Sequence, residues 1–433
     1  MLFYNFMNIC AIILSAGKSK RFKSSKPKFL HEISGKELIQ YNLDALNKIK
    51  QVKKTFIISS KANKKYFIHE KVFIQNPIDG TGGAFKQFYK YNNKFDYFLL
   101  TLADTPIFDY KILSDFVSKG VKNNDDLSVL TQNVRNPKGY GRIIKKNNLL
   151  ISIIEENECS NEEKLINEIN TGIFLISKKA ALNLKLIKKN KNKNEFYITD
   201  LVNVCLNKKL KMTTFLNKAT VISGANTLNE LNKLETLSQD FIKKKLIDSG
   251  VRIIHPDTVY IESNVSIAPG VVIEPHVVIK KNVSIKSNSI IKSFSYIENS
   301  TIGNNCSIGP YARIRPEVIM ADEVKIGNFV EIKKSKLSKG VKVNHLSYIG
   351  DSSIGTNSNI GAGTITCNYD GKNKLKCKIG NNTFIGSNSS IIAPVNIGNK
   401  AYIAAGSVIT KSIPNNHFSI ARSKQKNKIN NKK

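Results

Sequence analysis

A chain of 433 residues with 67 Lys and Arg against 33 Asp and Glu, a net charge of +34, is too long for one hydrophobic core and predicts two or three domains. Its 41% hydrophobic content, with 21 Phe and 15 Tyr, excludes global disorder, and no apolar window approaches the roughly 20 residues that a membrane span needs. The six cysteines are scattered without a Cys-x-x-Cys spacing, which argues against a disulfide framework or a structural zinc and for a reducing, cytoplasmic setting. The lysines are spread along the chain and not interleaved with aromatics, so nucleic acid is not the expected partner.

Short apolar runs at 9–14, 55–59, 71–74 and 95–102 alternate with amphipathic stretches at 38–49 and 84–91. That alternation predicts an α/β, Rossmann-like domain with a largely parallel sheet over residues 1–226, whose ligands bind at the carboxyl ends of the strands. A helix over 228–247, stopped by Gly250, reads as a linker covering 227–250. Beyond it the period changes to six: Val259, Val265, Val271, Val277 and Val283, with Ile261, Ile267, Ile273, Ile279 and Ile285 two residues later. After an apparent interruption the series resumes from Ile379 to Ile409. A six-residue period fits neither a helix nor an alternating strand, but it suits a β-solenoid that feeds one branched residue per short face into a continuous core, here over residues 251–422. Such repeats resemble the left-handed parallel β-helix of hexapeptide-repeat acyltransferases. The last residues, 423–433, read as a basic, disordered tail.

The first strand runs into Leu14, Ser15, Ala16 and Gly17, then a basic stretch through Arg21 to Lys26-Pro27-Lys28. Small residues after a strand let backbone N–H groups approach phosphate, and the basic cluster supplies charge. Together the stretch resembles the signature loop of sugar-1-phosphate nucleotidylyltransferases, which implies that Arg21 and Lys28 hold UTP and the attacking phosphate. Further pieces follow in that family's order. Asp79 to Ala84 resembles its uracil-reading turn, implying contacts from Gly80 and Thr81. Asp104, after a strand, suits Mg²⁺, a cation that prefers oxygen ligands, and the resemblance adds Asn226 as second ligand. Gly141, Glu155 and Asn170 fall in segments that resemble its sugar contacts. Ile78 and Gly83 stand where the family often has Gln and His, and Ser19 where it has a second glycine, so the expectation is that backbone groups at Gly80 and Thr81 read the base.

The solenoid carries polar groups that core building does not require, among them Arg313 to Pro316, Phe329 to Lys334, Asn344 to Tyr348 and Asn359 to Thr364, ahead of an apparent break at 361–378. These segments resemble the acetyltransferase half of the bifunctional family that joins N-acetylglucosamine-1-phosphate uridylyltransferase to glucosamine-1-phosphate acetyltransferase, and the match covers nearly the whole chain in the right order. The resemblance implies His345 as general base, Arg315 and Lys333 on the sugar phosphate, and Tyr348, Asn359 and Lys374 on the sugar. It places Asn368 and Tyr369 in the acetyl-CoA region, Ser387, Ala405 and Arg422 along the coenzyme, and Ala362 in the acetyl-transfer site. The implied enzyme takes glucosamine 1-phosphate, acetyl-CoA and UTP, passes through N-acetylglucosamine 1-phosphate, uses Mg²⁺, assembles as a homotrimer and makes UDP-N-acetylglucosamine for cell-wall and lipopolysaccharide synthesis. Two other readings stay open: a nucleotidylyltransferase whose solenoid is an oligomerising or regulatory element, and a basic nucleic-acid-binding scaffold.

Overall fold

The computed structural model describes residues 7–17, 22, 24–190, 194–219 and 221–429. The chain divides into two compact units, Met1–Ser238 and Gln239–Lys433. The first is a nine-stranded sheet flanked by helices. Its strands in chain order are β1 (Ile9–Leu14), β2 (Val52–Ser59), β3 (Val72–Ile74), β4 (Tyr97–Leu102), β5 (Leu127–Asn133), β6 (Arg142–Lys146), β7 (Leu149–Ile154), β8 (Glu168–Ser177) and β9 (Met212–Asn217). The main path runs β9-β5-β8-β4-β1-β2-β3. Every residue of β1 is buried, as a central strand covered on both faces must be. The helices α1 (Leu38–Asn47) and α2 (Gly80–Tyr91) lie on the crossovers that keep β1 parallel to β2 and β4, and α3 (Tyr110–Lys122) leads from β4 to β5.

The expected largely parallel sheet is in fact mixed. Strand β8 runs antiparallel to both β4 and β5, and β6 with β7 forms an antiparallel hairpin beside it. For the hairpin the reason is local: Asn147 and Asn148 both take left-handed backbone, the conformation of a tight turn, so β6 and β7 pair without a crossover helix.

The segment expected as a linker is one continuous helix, α4 here (Leu228–Asp248), and each half packs within a different unit. Leu234 is buried with Phe22, Ile33 and Leu38, while Ile242 and Leu246 pack on the solenoid core. Gly250 follows with φ +95°, the left-handed residue that closes a helix.

The second unit is the left-handed β-helix of hexapeptide repeats. Three parallel sheets of ten, nine and eight short strands each pair every third strand in sequence, so each coil adds one strand to each face. We call them faces I, II and III in that order. Branched residues fill the core in register: Ile261, Ile279, Ile297, Ile314, Ile332 and Ile349 stack down face II, all fully buried. The apparent interruption does not exist in space. The coil continues through Ile302, Ile308, Ile314 and Met320 to Leu337, Val343 and Ile354, where some turns drop a residue and other apolar side chains replace isoleucine. It also continues through Ile365–Cys367, with buried Thr366 in the core position, so the extruded loop is only 368–376 and shorter than the sequence break implied.

Candidate functional sites

The loop after β1, the N-terminus of α2 and the end of β4 surround a cavity of about 290 Å³ in the first unit. Leu14, Ser15, Ala16 and Gly17 line it, as do Gly80, Thr81, Lys28 and Asp104. It therefore opens at the carboxyl ends of parallel strands, where helix N-termini present free N–H groups. Arg21 lies outside the described residues.

At one end, the Lys28 ammonium is paired with the Asp104 carboxylate and donates to Asn226 Oδ1 at 3.3 Å. One carboxylate and one amide oxygen thus converge on a single point now held by a cation. These are hard oxygen donors, and two of them suit a Mg²⁺ that takes its remaining ligands from phosphates and water. Among the described residues no cluster of three or more His, Cys, Asp and Glu could hold a metal by itself.

Gly141, Glu155 and Asn170 do not line this cavity; they form a neighbouring group. Asn170 donates its N–H to Gly141 O at 2.9 Å, and Thr199 donates to Glu155 Oε1 at 3.2 Å. Arg142 is almost wholly buried; its guanidinium holds Tyr140 O and, at 2.7 Å, the Glu156 carboxylate, which fixes this loop. Beside it, burial first and then Glu158 and Glu155 push the Asp200 carboxyl up to about 6. Sequence reasoning missed Gln75, Glu195 and Tyr197, all in the cavity wall. Gln75 sits at the end of β3, the position from which a parallel strand presents a side chain to ligand, and only the fold shows that the 195–197 segment packs against α2 through Gly82 N–H and Phe196 O.

In the solenoid the predicted residues gather in two columns. At the corner between faces I and II, backbone bonds climb from coil to coil: Leu346 N–H to Asn328 O, Gly363 to His345, Asn388 to Ala362, and Gly406 to Ser387. Arg422 completes the ladder by donating from Nη1 to Ala405 O at 2.9 Å. His345, Ala362, Ser387, Ala405 and Arg422 are therefore successive rungs of one exposed edge. With coils about 4.8 Å apart, the edge spans on the order of 20 Å from imidazole to guanidinium. His345 Nδ1 lies 2.7 Å from Asn328 Oδ1. An amide oxygen only accepts, so Nδ1 carries the proton and Nε2 is left as a base. Asn328 went unnoticed in the sequence, although it stands one coil before His345 in the strand register.

At the other edge of face II, Arg315, Lys333 and Lys374 form a cationic group. Arg315 donates to Glu331 at 2.8 Å, and that hydrogen bond raises its pKa. Lys333 is held below the ordinary lysine range by the adjacent Lys374, by desolvation and by Arg315. Arg315 is paired with Glu331, and Asp351 and Glu298 also act on the group, yet three clustered cations can still close on a phosphate. Tyr348 lies on the face between the two columns, paired in register with Glu331, and its hydroxyl adjoins Gly350 near the Asn368 amide. Asn368 is buried and donates to Asp351, whereas Tyr369 is 60% exposed on the loop. Asn359 is not brought to this group: it lies on face I between Lys342 and Phe384.

Comparison with known proteins agrees with both units. Residues 11–169 match the MobA-like NTP transferase domain family, 241–325 the GMPPB C-terminal domain, and 376–411 the bacterial transferase hexapeptide (six repeats). The chain is 38% identical to a bifunctional protein GlmU of Thermosipho melanesiensis, over 97% of this chain and 96% of the relative. It is equally 38% identical to the GlmU of Clostridioides difficile, with 97% and 96% covered, and to that of Bartonella bacilliformis, with 96% and 95% covered.

Proposed function

The chain belongs to the family of bifunctional GlmU proteins, and from this premise we propose how its two units divide one synthesis. It is a uridylyltransferase and an acetyltransferase in one chain. The solenoid acetylates glucosamine 1-phosphate with acetyl-CoA, and the first unit joins the resulting N-acetylglucosamine 1-phosphate to UTP, releasing pyrophosphate and UDP-N-acetylglucosamine for the cell wall. The observation that carries the second activity, against a mere scaffold, is the cationic group of Arg315, Lys333 and Lys374 facing the His345–Asn328 pair across one sheet face. Packing explains neither.

In the solenoid, the sugar phosphate sits on Arg315, Lys333 and Lys374, which places the sugar over Tyr348 with its amine toward His345. Nε2 removes a proton from the ammonium, because only the free amine attacks a thioester; Asn328 fixes the tautomer. The coenzyme arm follows the rungs from Ala362 through Ser387 and Ala405, and Arg422 meets its phosphates. In the first unit, N–H groups at 15–17 and Lys28 hold the triphosphate while the sugar phosphate attacks the α-phosphorus in line. Gly141, Glu155 and Asn170 hold the sugar. Asp104 and Asn226 are the residues that would hold Mg²⁺, which when bound supplies charge neutralisation between the phosphates. The proposed substrates support a cytoplasmic enzyme. No helix among the described residues is long and apolar enough to cross a membrane. A homotrimer is supported by the position of Asn359: on face I it meets a sugar held on face II only if a second copy supplies it.

Omitting each substrate in turn tests this. Coenzyme A thiol should appear with glucosamine 1-phosphate and acetyl-CoA alone, and pyrophosphate only when UTP, Mg²⁺ and the acetylated sugar phosphate are all present. Absence of thiol release from the intact protein would leave the solenoid a scaffold. Lys333→Ala should raise KM for glucosamine 1-phosphate about tenfold with kcat little changed, since it removes ground-state phosphate binding. A fall in kcat alone would instead put Lys333 in the chemical step.

A further inference from the structure

We propose that Asp79 is a positioning residue for nucleotide selection: its carboxylate locks the Gln75 amide in the one orientation that reads uracil and refuses cytosine. The inference rests on the reading above that this cavity takes the base of UTP.

Gln75 is 3% exposed and lines the cavity. Its Nε2 donates to Asp79 Oδ1 and to Gly80 O, both at 3.0 Å. A carboxylate and a backbone carbonyl only accept, so no flipped amide satisfies both. With both hydrogens committed, Oε1 is the atom the side chain has left for a ligand. Next to it, the first-turn N–H groups of α2 at Gly80 and Thr81 have no partner within the helix. An acceptor beside a donor matches the imide edge of uracil, whose N3–H donates while O4 accepts. Cytosine presents the opposite pattern, an accepting N3 and a donating amine, and is mismatched at both atoms.

Asp79 is not doing the ordinary work of its position. It is the N-cap of α2, yet its side chain makes no capping hydrogen bond. The carboxylate turns instead to Gln75 and to Gln87 Nε2, the latter at 3.1 Å; Gln87 is itself fixed by donating to Pro77 O and accepting from Asn76 N–H. The space it fills belongs to position 83. A Cβ on Gly83 would collide with the Asp79 carboxylate. Gly83 is buried inside the helix without a positive φ, where glycine costs stability relative to alanine and no backbone need calls for it. Asp79 and Gly83 thus form one device, in which the missing side chain makes room for the carboxylate that orients the reader.

The test is the ratio of kcat/KM for UTP over CTP, measured as pyrophosphate release by the full chain with N-acetylglucosamine 1-phosphate. The ratio does not depend on the concentration of active enzyme, so a partly folded preparation does not change it. Asp79→Leu should lower the ratio about tenfold by freeing the amide to turn, and Gly83→Ala should do the same by displacing the carboxylate. Asp79→Asn, which keeps an accepting oxygen, should preserve most of the ratio. General loosening of the site would lower both rates and leave the ratio alone. Gln75→Leu separates the two layers of inference: if it leaves UTP kinetics untouched, the base is not in this cavity. If it weakens UTP use while Asp79→Leu and Gly83→Ala keep the ratio, the role of Asp79 is overturned.

Discussion

His345→Ala should lower acetyl transfer by about 10²–10⁴-fold and leave uridylyl transfer from supplied N-acetylglucosamine 1-phosphate unchanged. At neutral pH the amine of the sugar is mostly an ammonium ion with no lone pair to attack a thioester. A base at the amine must therefore hold the proton as the bond forms. The Nδ1 of His345 is already committed to Asn328 Oδ1, so Nε2 is the free base, and the ring stands exposed at a corner where a ligand can reach it. Loss of the imidazole removes the base but not the phosphate group on Arg315 and Lys333, so kcat should fall far more than KM changes. Asn328→Ala should give a smaller loss, because the tautomer is no longer imposed. A His345→Ala enzyme that keeps its acetylation rate would remove the base from this mechanism and leave the coenzyme edge without chemistry.

The two columns show what a sequence can and cannot reveal about such a site. The isoleucine series declares the solenoid, because each buried branched residue recurs once per face. The same periodicity hides the coil where Thr366, Met320 and Leu337 replace isoleucine, and that made a continuous structure look interrupted. Once coil length is known, residues 17 or 18 apart become neighbours, and Asn328 under His345 follows by counting. The division of Arg315, Lys333 and Lys374 from His345 across face II does not follow, since it depends on which corner each turn occupies. In the first unit the loop residues 14–17 and Asp104 were legible because each ends a strand. Gln75 ends one too, but its role depends on hydrogen bonds to Asp79 and Gly80, which spacing does not encode. The antiparallel β8 was hidden for a similar reason: its buried run Ile173–Ile176 has the apolar character of a central parallel strand, and only the missing crossover helix betrays its direction.

Asp104→Ala should abolish uridylyl transfer, with a loss of about 10³-fold or more, while acetyl transfer stays near the parent rate. Asp104 follows β4, mostly buried, where its carboxylate, the Asn226 amide oxygen and the Lys28 ammonium meet. In the free protein the ammonium neutralises the carboxylate. When a triphosphate arrives, Lys28 has a better use on its oxygens, and the two protein oxygens are freed for a divalent cation. The substitution therefore removes one of the two protein oxygens proposed to hold Mg²⁺ and strands Lys28 without its counter-ion. The expected signature is a large rise in the Mg²⁺ concentration needed for half-maximal rate in a weaker variant, Asp104→Asn, which keeps one oxygen but loses the charge. Stability should fall by about 3 kcal/mol, because the Lys28 and Asp104 side chains are only 22% and 12% exposed and the variant strands a mostly buried ammonium. Normal acetylation in the same sample confines the loss to the first unit, and an unchanged far-UV circular dichroism spectrum excludes unfolding as the cause. If both activities fell together in a folded protein, the two units would not work independently; if neither fell, the oxygens at the end of β4 would not be the place where phosphate charge is met.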